Sequence, residues 1–266
     1  MLHTYDGIVV GRREIGENSC FIDILTDECG LIEATAHGAK KLNSSLLSSA
    51  ALFSYSTFCL NSSKGRYTVN SAKPIHSFHA LGQDIERLAL ASYFAQAVRF
   101  CTPSEQRQSS PRGESLVRFM AIALYELSRR EAELVRAAFE LRYSCILGFT
   151  PDLTACANCG RYEHEQMFFL PDTGEIFCGD CFDREYGGEH ELLLTQTLFA
   201  MRGIVFSPLE GCFKITAQGD ALKQLSRLAE RYFLRRTERS FGALRYYKTL
   251  AFPTESDTWG EENEQI

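Results

Sequence analysis

At 266 residues the chain is long enough for two or three compact units, each with its own core. A hydrophobic content of 45% and a charged content of 23% place it among globular proteins, and no apolar run reaches the length a membrane helix needs. The net charge of −6 weighs against nucleic acid as a partner unless cations are concentrated locally, because binding follows the local field.

Residues 1–78 read as five short strands: Gly7 to Ile15, Ser19 to Thr26, Leu31 to His37, Ser54 to Leu60 and Arg66 to Ser71. In the second, Cys20, Ile22 and Ile24 alternate with Phe21, Asp23 and Leu25, the period of a strand with one face inward. Asp27-Glu28-Cys29-Gly30 makes a turn ending on the residue best suited to left-handed backbone, and Asn61 to Gly65 reads as a hairpin loop. Strands this short and this closely spaced predict a small barrel, and the OB-fold is the commonest of that size.

From Leu81 the period lengthens to that of a helix. Leu81, Ile85 and Leu88 mark a first helix running to Phe100, and Thr102 to Gly113, with its prolines and serines, is a loop. A second helix spans Glu114 to Ser128, and a third carries Leu134, Ala138, Leu141 and Cys145 before Gly148 and Pro151 end it. Helical periodicity returns in Thr195 to Phe206 and Ala217 to Glu238. The expected class is therefore α+β: an OB-fold domain (1–78), then a helical domain in two parts (79–151 and 191–252) interrupted by a cysteine module (152–190). Residues 253–266, acidic and poor in apolar side chains, are expected to form a disordered tail.

The module holds Cys156-x2-Cys159 and, eighteen residues later, Cys178-x2-Cys181. Two intervening residues let both thiolates of a pair face one point, and two such pairs complete the tetrahedron that Zn2+ accepts. Four thiolates close the coordination shell, so one structural zinc per chain is expected, with His164 and His190 left as surface residues. The spacing does not distinguish zinc from iron. Cys20, Cys29, Cys59, Cys101, Cys145 and Cys212 lie scattered in apolar segments, as small buried side chains of a reducing compartment do. The opening Met1 to Asp6 lacks a signal-peptide pattern, so a cytoplasmic, nucleoid-associated protein is expected.

Cations concentrate in two places. The barrel loops carry Arg12, Arg13, Lys40, Lys41, Lys64 and Arg66, with Phe21 and Tyr67 as rings on which bases could stack. Towards the other end, Lys223, Arg227, Arg231 and Arg235 recur every four residues as a ridge, followed by Arg236, Arg239, Arg245 and Lys248. Along the sequence only Glu230 and Glu238 oppose them, which points to a phosphate-binding surface. The acidic tail could fold back on it. The module itself is acidic and is expected to be a clamp, with DNA handled elsewhere. No nucleotide-binding loop, H-E-x-x-H motif or Ser/His/Asp arrangement is present, and no catalytic residues are expected.

The runs Gly7-Ile8-Val9-Val10, Arg13-Glu14-Ile15-Gly16-Glu17, Leu25-Thr26-Asp27-Glu28-Cys29-Gly30-Leu31 and Ala36-His37-Gly38-Ala39-Lys40-Lys41 resemble the start of the RecO family of bacterial DNA repair and recombination mediators. Leu147-Gly148-Phe149-Thr150-Pro151-Asp152-Leu153, followed by Cys156-Ala157-Asn158-Cys159-Gly160, is the most specific match, and the resemblance spans about residues 1 to 250. Ile15, in place of an aromatic residue, and Leu42-Asn43, in place of a further cation, depart from the family pattern. The second departure moves weight towards the ridge.

The resemblance implies a non-enzymatic protein that binds single- and double-stranded DNA and anneals complementary strands. It also implies action with RecR to help RecA replace single-stranded DNA-binding protein (SSB). The competing expectation is an adaptor with incidental DNA contact, in which the barrel docks RecR and the helical domain docks the SSB C-terminal tail. A zinc hydrolase would need an open metal site.

Overall fold

The structure, a computed structural model, describes residues 1–102, 113–183 and 188–252. The chain divides into two compact units, Met1–Arg107 with Ser240–Ile266, and Gln108–Arg239.

The first unit is built on a closed barrel of β1 (Leu2–Ile15), β2 (Ser19–Thr26), β3 (Gly30–Ala36), β4 (Ser54–Ser63) and β5 (Arg66–Ser77), in the order β1-β2-β3-β5-β4. All neighbours are antiparallel except β3 and β5, which close the barrel through the parallel pairs Ala34–Tyr67 and Thr35–Thr68. This is the OB arrangement that the strand spacing predicts. Val9, Cys20, Ile22, Ile24, Ile32, Phe58 and Leu60 fill the interior. Several strands are longer than the sequence suggests, and the second hairpin differs in kind. Pairing continues through Ser63–Arg66, so the loop shrinks to Lys64-Gly65. Both residues have positive φ, 52° and 73°, as a two-residue turn of the primed type demands.

β2 is covered on both sides, which simple alternation does not anticipate. Asp23 is buried and pairs with Arg99 at 2.8 Å, on α1 (Ile85–Cys101). Gly11 makes the approach possible, since a Cβ there would fall 2.2 Å from the Asp23 carboxylate. α1 begins four residues later than Leu81, which sits in a 3-10 turn, and Asp84 caps it by accepting from the Glu86 and Arg87 amides. α6 (Gly242–Ala251) returns to the first unit and packs on α1; Gln96 Oε1 accepts from the Ala243 amide at 3.1 Å. The helical periodicity read from the sequence ends at Glu238, and this ten-residue helix beyond it buries Leu244 and Tyr247.

The second unit packs α2 (Leu116–Leu127), α4 (Thr195–Phe206) and α5 (Gly219–Thr237) with α3 (Ala132–Ile146), whose residues 134–146 are all buried. Burial of α3 on all sides forces its charged residues to find partners inside. Arg142 donates to the carbonyls of Ile204 and Val205 and pairs with Glu114. Arg136 joins Glu133, Glu140 and Glu230 at 2.8, 3.1 and 2.7 Å. The cysteine module is more regular than an insertion held by metal alone. Its three-stranded sheet, ordered β7-β6-β8, runs just past the expected boundary at 190, with β6 (Met167–Leu170), β7 (Glu175–Cys178) and β8 (Glu191–Leu192). No helix among the described residues is long and apolar enough to cross a membrane. The expected tail, 253–266, lies outside the described residues.

Candidate metal centre and nucleic-acid interface

The first knuckle turns at Gly160, with φ of 71°, and the Gly160 amide bonds back to the Cys156 carbonyl at 2.9 Å. The second follows the end of β7, where the Cys178 carbonyl accepts from the Cys181 and Phe182 amides at 3.0 and 2.9 Å. These turns bring the sulfurs of Cys156, Cys159, Cys178 and Cys181 within 4.8 Å of one another, so the set could hold a metal ion. The Cys159 and Cys178 sulfurs are 3.7 Å apart. Tetrahedral Zn–S bonds of ~2.3 Å separate two sulfurs by about 3.8 Å, a spacing the Cys159–Cys178 pair matches.

The thiols feel one another strongly. Burial works against ionisation of Cys156, but amides of the knuckles hold its pKa down at about 6. Cys181 is pushed up to about 12, first by hydrogen bonding to the Cys159 and Cys178 thiols. Ionising one member raises the cost of the next, and a divalent cation relieves that repulsion.

Two residues support the knuckles: Arg202, which carries no signal in the sequence, and His164, expected at the surface but half-buried. Arg202 of α4 is buried and donates to the carbonyls of Leu153, Thr154 and Tyr162 at 2.8, 3.2 and 2.7 Å, with its guanidinium 3.9 Å from the centre of the Tyr162 ring. It thereby ties both ends of the first knuckle to the helical domain. His164 accepts at Nδ1 from the Gln166 and Gly179 amides and approaches Asp180 through Nε2, so it braces the second knuckle and lies outside the sulfur cluster. His190 is exposed. Of the other cysteines, Cys20, Cys145 and Cys212 are buried, and Cys29, Cys59 and Cys101 half-buried.

On the barrel, a groove of about 640 Å³ is lined by Phe21, Leu31, Thr35, Arg66 and Tyr67, among others. It lies where β2 and β3 meet the Lys64-Gly65 hairpin. Arg12, Lys41, Lys64 and Arg66 are exposed and make no ion pair among the described residues. Arg13 pairs with Glu33 and covers the Phe21 ring at 5.4 Å, while Lys40 pairs with Glu14 at 2.9 Å. That lysine holds the Glu14 carboxyl below its usual range.

The ridge on α5 is formed but is not unopposed. Arg227 pairs with Glu191, Arg231 with Glu189, and Arg235 with both Asp172 and Glu189. Among the described residues Lys223 pairs only with the exposed Asp220, at 3.6 Å. The opposing carboxylates come from the cysteine module, 36 to 63 residues away in sequence, which is why local charge counting misses them. The cations that follow divide between the units: Arg236 and Arg239 belong to the second, Arg245 and Lys248 to the first.

A five-stranded OB-type barrel joined to helices that carry a four-cysteine cluster able to hold a metal ion defines a class, and comparison with known families names it. Residues 1–78 match the family described as Recombination protein O N terminal, and residues 82–245 match Recombination protein O C terminal. The DNA repair protein RecO of Symbiobacterium thermophilum is 30% identical over 253 residues, covering 94% of this chain and 98% of that protein. That of Acetivibrio thermocellus is 29% identical, with 92% and 95% covered. That of Alkaliphilus metalliredigens is 33% identical over 183 residues, with 68% and 72% covered. The chain belongs to the RecO family of DNA repair proteins.

Proposed function

We propose that this chain is a non-enzymatic recombination mediator, which binds single- and double-stranded DNA and anneals complementary strands. With RecR it would help load RecA onto single-stranded DNA coated by SSB. The observation that carries the reading is the barrel groove, where the Phe21 and Tyr67 rings stand beside Arg66 and the neighbouring Lys64. Rings offer stacking to any base and cations follow the backbone, a combination suited to sequence-independent contact with a single strand. Loading and annealing need no covalent chemistry.

In this reading the barrel (1–78) carries the DNA contact and the helical parts (79–151 and 191–252) receive the SSB tail. The module (152–190) is clamped by one structural Zn2+ on Cys156, Cys159, Cys178 and Cys181. Four thiolate ligands leave the ion no position for a reacting water.

The test is single-stranded DNA binding across a salt series, comparing the wild-type chain with Lys64→Ala/Arg66→Ala. Loss of two phosphate contacts is expected to flatten the dependence of log K on log salt by roughly 1.4. Absence of measurable binding by the wild-type chain at low salt would sink the reading. It would favour the alternative, an adaptor bridging RecR and SSB, which the net charge of −6 and the neutralised α5 ridge support.

A further inference from the structure

We propose that Asp172 and Glu189 are a displaceable acidic mask on the cationic face of α5, and that the phosphates of a nucleic-acid strand take their place on Arg231 and Arg235. The inference rests on the reading that this protein binds DNA, and it adds a second, conditionally available site to the barrel groove.

Three features of the second unit carry it. The first is the match of chemistry. Arg231 and Arg235 lie one helical turn apart, about 6 Å along the axis. Each is engaged by carboxylate oxygens, Arg231 by Glu189, with Glu191 farther off at 3.9 Å, and Arg235 by Glu189 and Asp172 together. A guanidinium fork that accepts a carboxylate accepts a phosphate in the same geometry, so successive phosphates of a strand offer what the two acids offer now.

The second feature is that the contact is accessible. Side-chain exposure is 32% for Arg231, 39% for Arg235, 32% for Glu189 and 45% for Asp172, so solvent and salt reach every partner. Half-exposed pairs of this kind are weakly held, and a polyanion that releases its own counterions on binding can displace them.

The third is the way the acids are mounted. Glu189 precedes β8, which is only two residues long and pairs with β6 through Phe168–Leu192 and Phe169–Glu191. The strand is fastened beyond that point: Gln224 of α5 donates to the Leu192 carbonyl at 2.9 Å and accepts from the Leu194 amide at 2.8 Å, and Leu193 is buried. Glu189 can therefore swing off the ridge, with His190 leaving the Phe182 and Phe168 rings it packs on at 4.7 and 6.3 Å, while residues 192–194 stay seated. Asp172 stands at the exposed turn between β6 and β7. At the other end of the same face, Lys223 is 82% exposed and offers an incoming strand a first contact.

The experiment measures binding of a short oligothymidylate by fluorescence anisotropy over a salt series. It compares the zinc-loaded wild-type chain with Asp172→Asn/Glu189→Gln. The double variant is expected to bind several-fold more tightly at low salt, with a salt dependence steeper by about 1.4 for two added single-strand phosphate contacts. Adding Arg231→Gln/Arg235→Gln to that variant is expected to abolish the gain; a gain that survives overturns the mask. Equal affinity and slope in wild type and double variant also overturn it, and leave the barrel reading intact. No binding by either protein at low salt overturns both.

Should the double variant lose its metal, the unaltered protein still decides the matter by hydrogen exchange. With saturating oligonucleotide, the amides of residues 189–191 are expected to exchange faster, and unchanged or slower exchange overturns the proposal.

Discussion

Arg136 shows what one residue can demand of its surroundings. It is 3% exposed, in the first half of the most buried helix among the described residues, and meets Glu133, Glu140, Glu230 and the Ser226 hydroxyl. Burial opposes its charge, but the carboxylates, Glu140 foremost, raise its pKa well above the ordinary arginine value. Glu140 is fully buried and has no access to water that could replace the arginine. Arg136→Met is therefore expected to destabilise the second unit by about 3–5 kcal/mol, the cost of leaving a buried charge uncompensated. Urea denaturation measures it, and adding Glu140→Leu is expected to restore part of the loss. A single variant as stable as wild type would show that the network contributes nothing. The sequence displays Arg136 and Glu140 at helical spacing, which reads equally as a solvated face. Only the packing of α3 among three helices turns that face inward.

At the scale of elements, legibility follows locality. β2 and its turn are readable because a period of two and a glycine at φ of 66° are properties of adjacent residues. The Lys64-Gly65 turn is readable only in part. A lysine with positive φ is disfavoured locally, and the pairing of β4 with β5 on either side imposes it. α6 is only ten residues long and is held by α1, although Leu244, Tyr247 and Ala251 do recur at helical spacing. The cysteine module lies between these cases: its ligands are legible from spacing, whereas β6, β7 and β8 total only ten residues.

Because those strands are so short, the zinc proposed for the cluster should supply much of the module's stability, as in zinc-dependent small domains. Cys178→Ser is expected to lose the bound zinc, measured by metal analysis, and to open residues 152–190 to limited proteolysis. Metal loss with unchanged protease resistance would show that Arg202 and the sheet suffice.

At the scale of the whole chain, the net charge of −6 conceals an uneven distribution. Four cations on the barrel are exposed and unpaired among the described residues, whereas the ridge of α5 is largely neutralised by the module beside it. The acidic segment 254–266 adds carboxylates that would compete with DNA wherever they could reach cations. Its deletion is expected to tighten DNA binding at low salt, an effect that fades as salt rises; unchanged affinity at low salt would count against that competition.

By itself the sequence determined the barrel, the four-cysteine site and the family, because each is written in short-range patterns: alternation along a strand, two residues between thiols, a run of matching positions. The tertiary structure alone decided the state of the cations. Arg231 and Glu189 lie 42 positions apart, yet form an ion pair. Whether a charge is free depends on what folding brings within a few ångströms of it, and no local pattern records that distance.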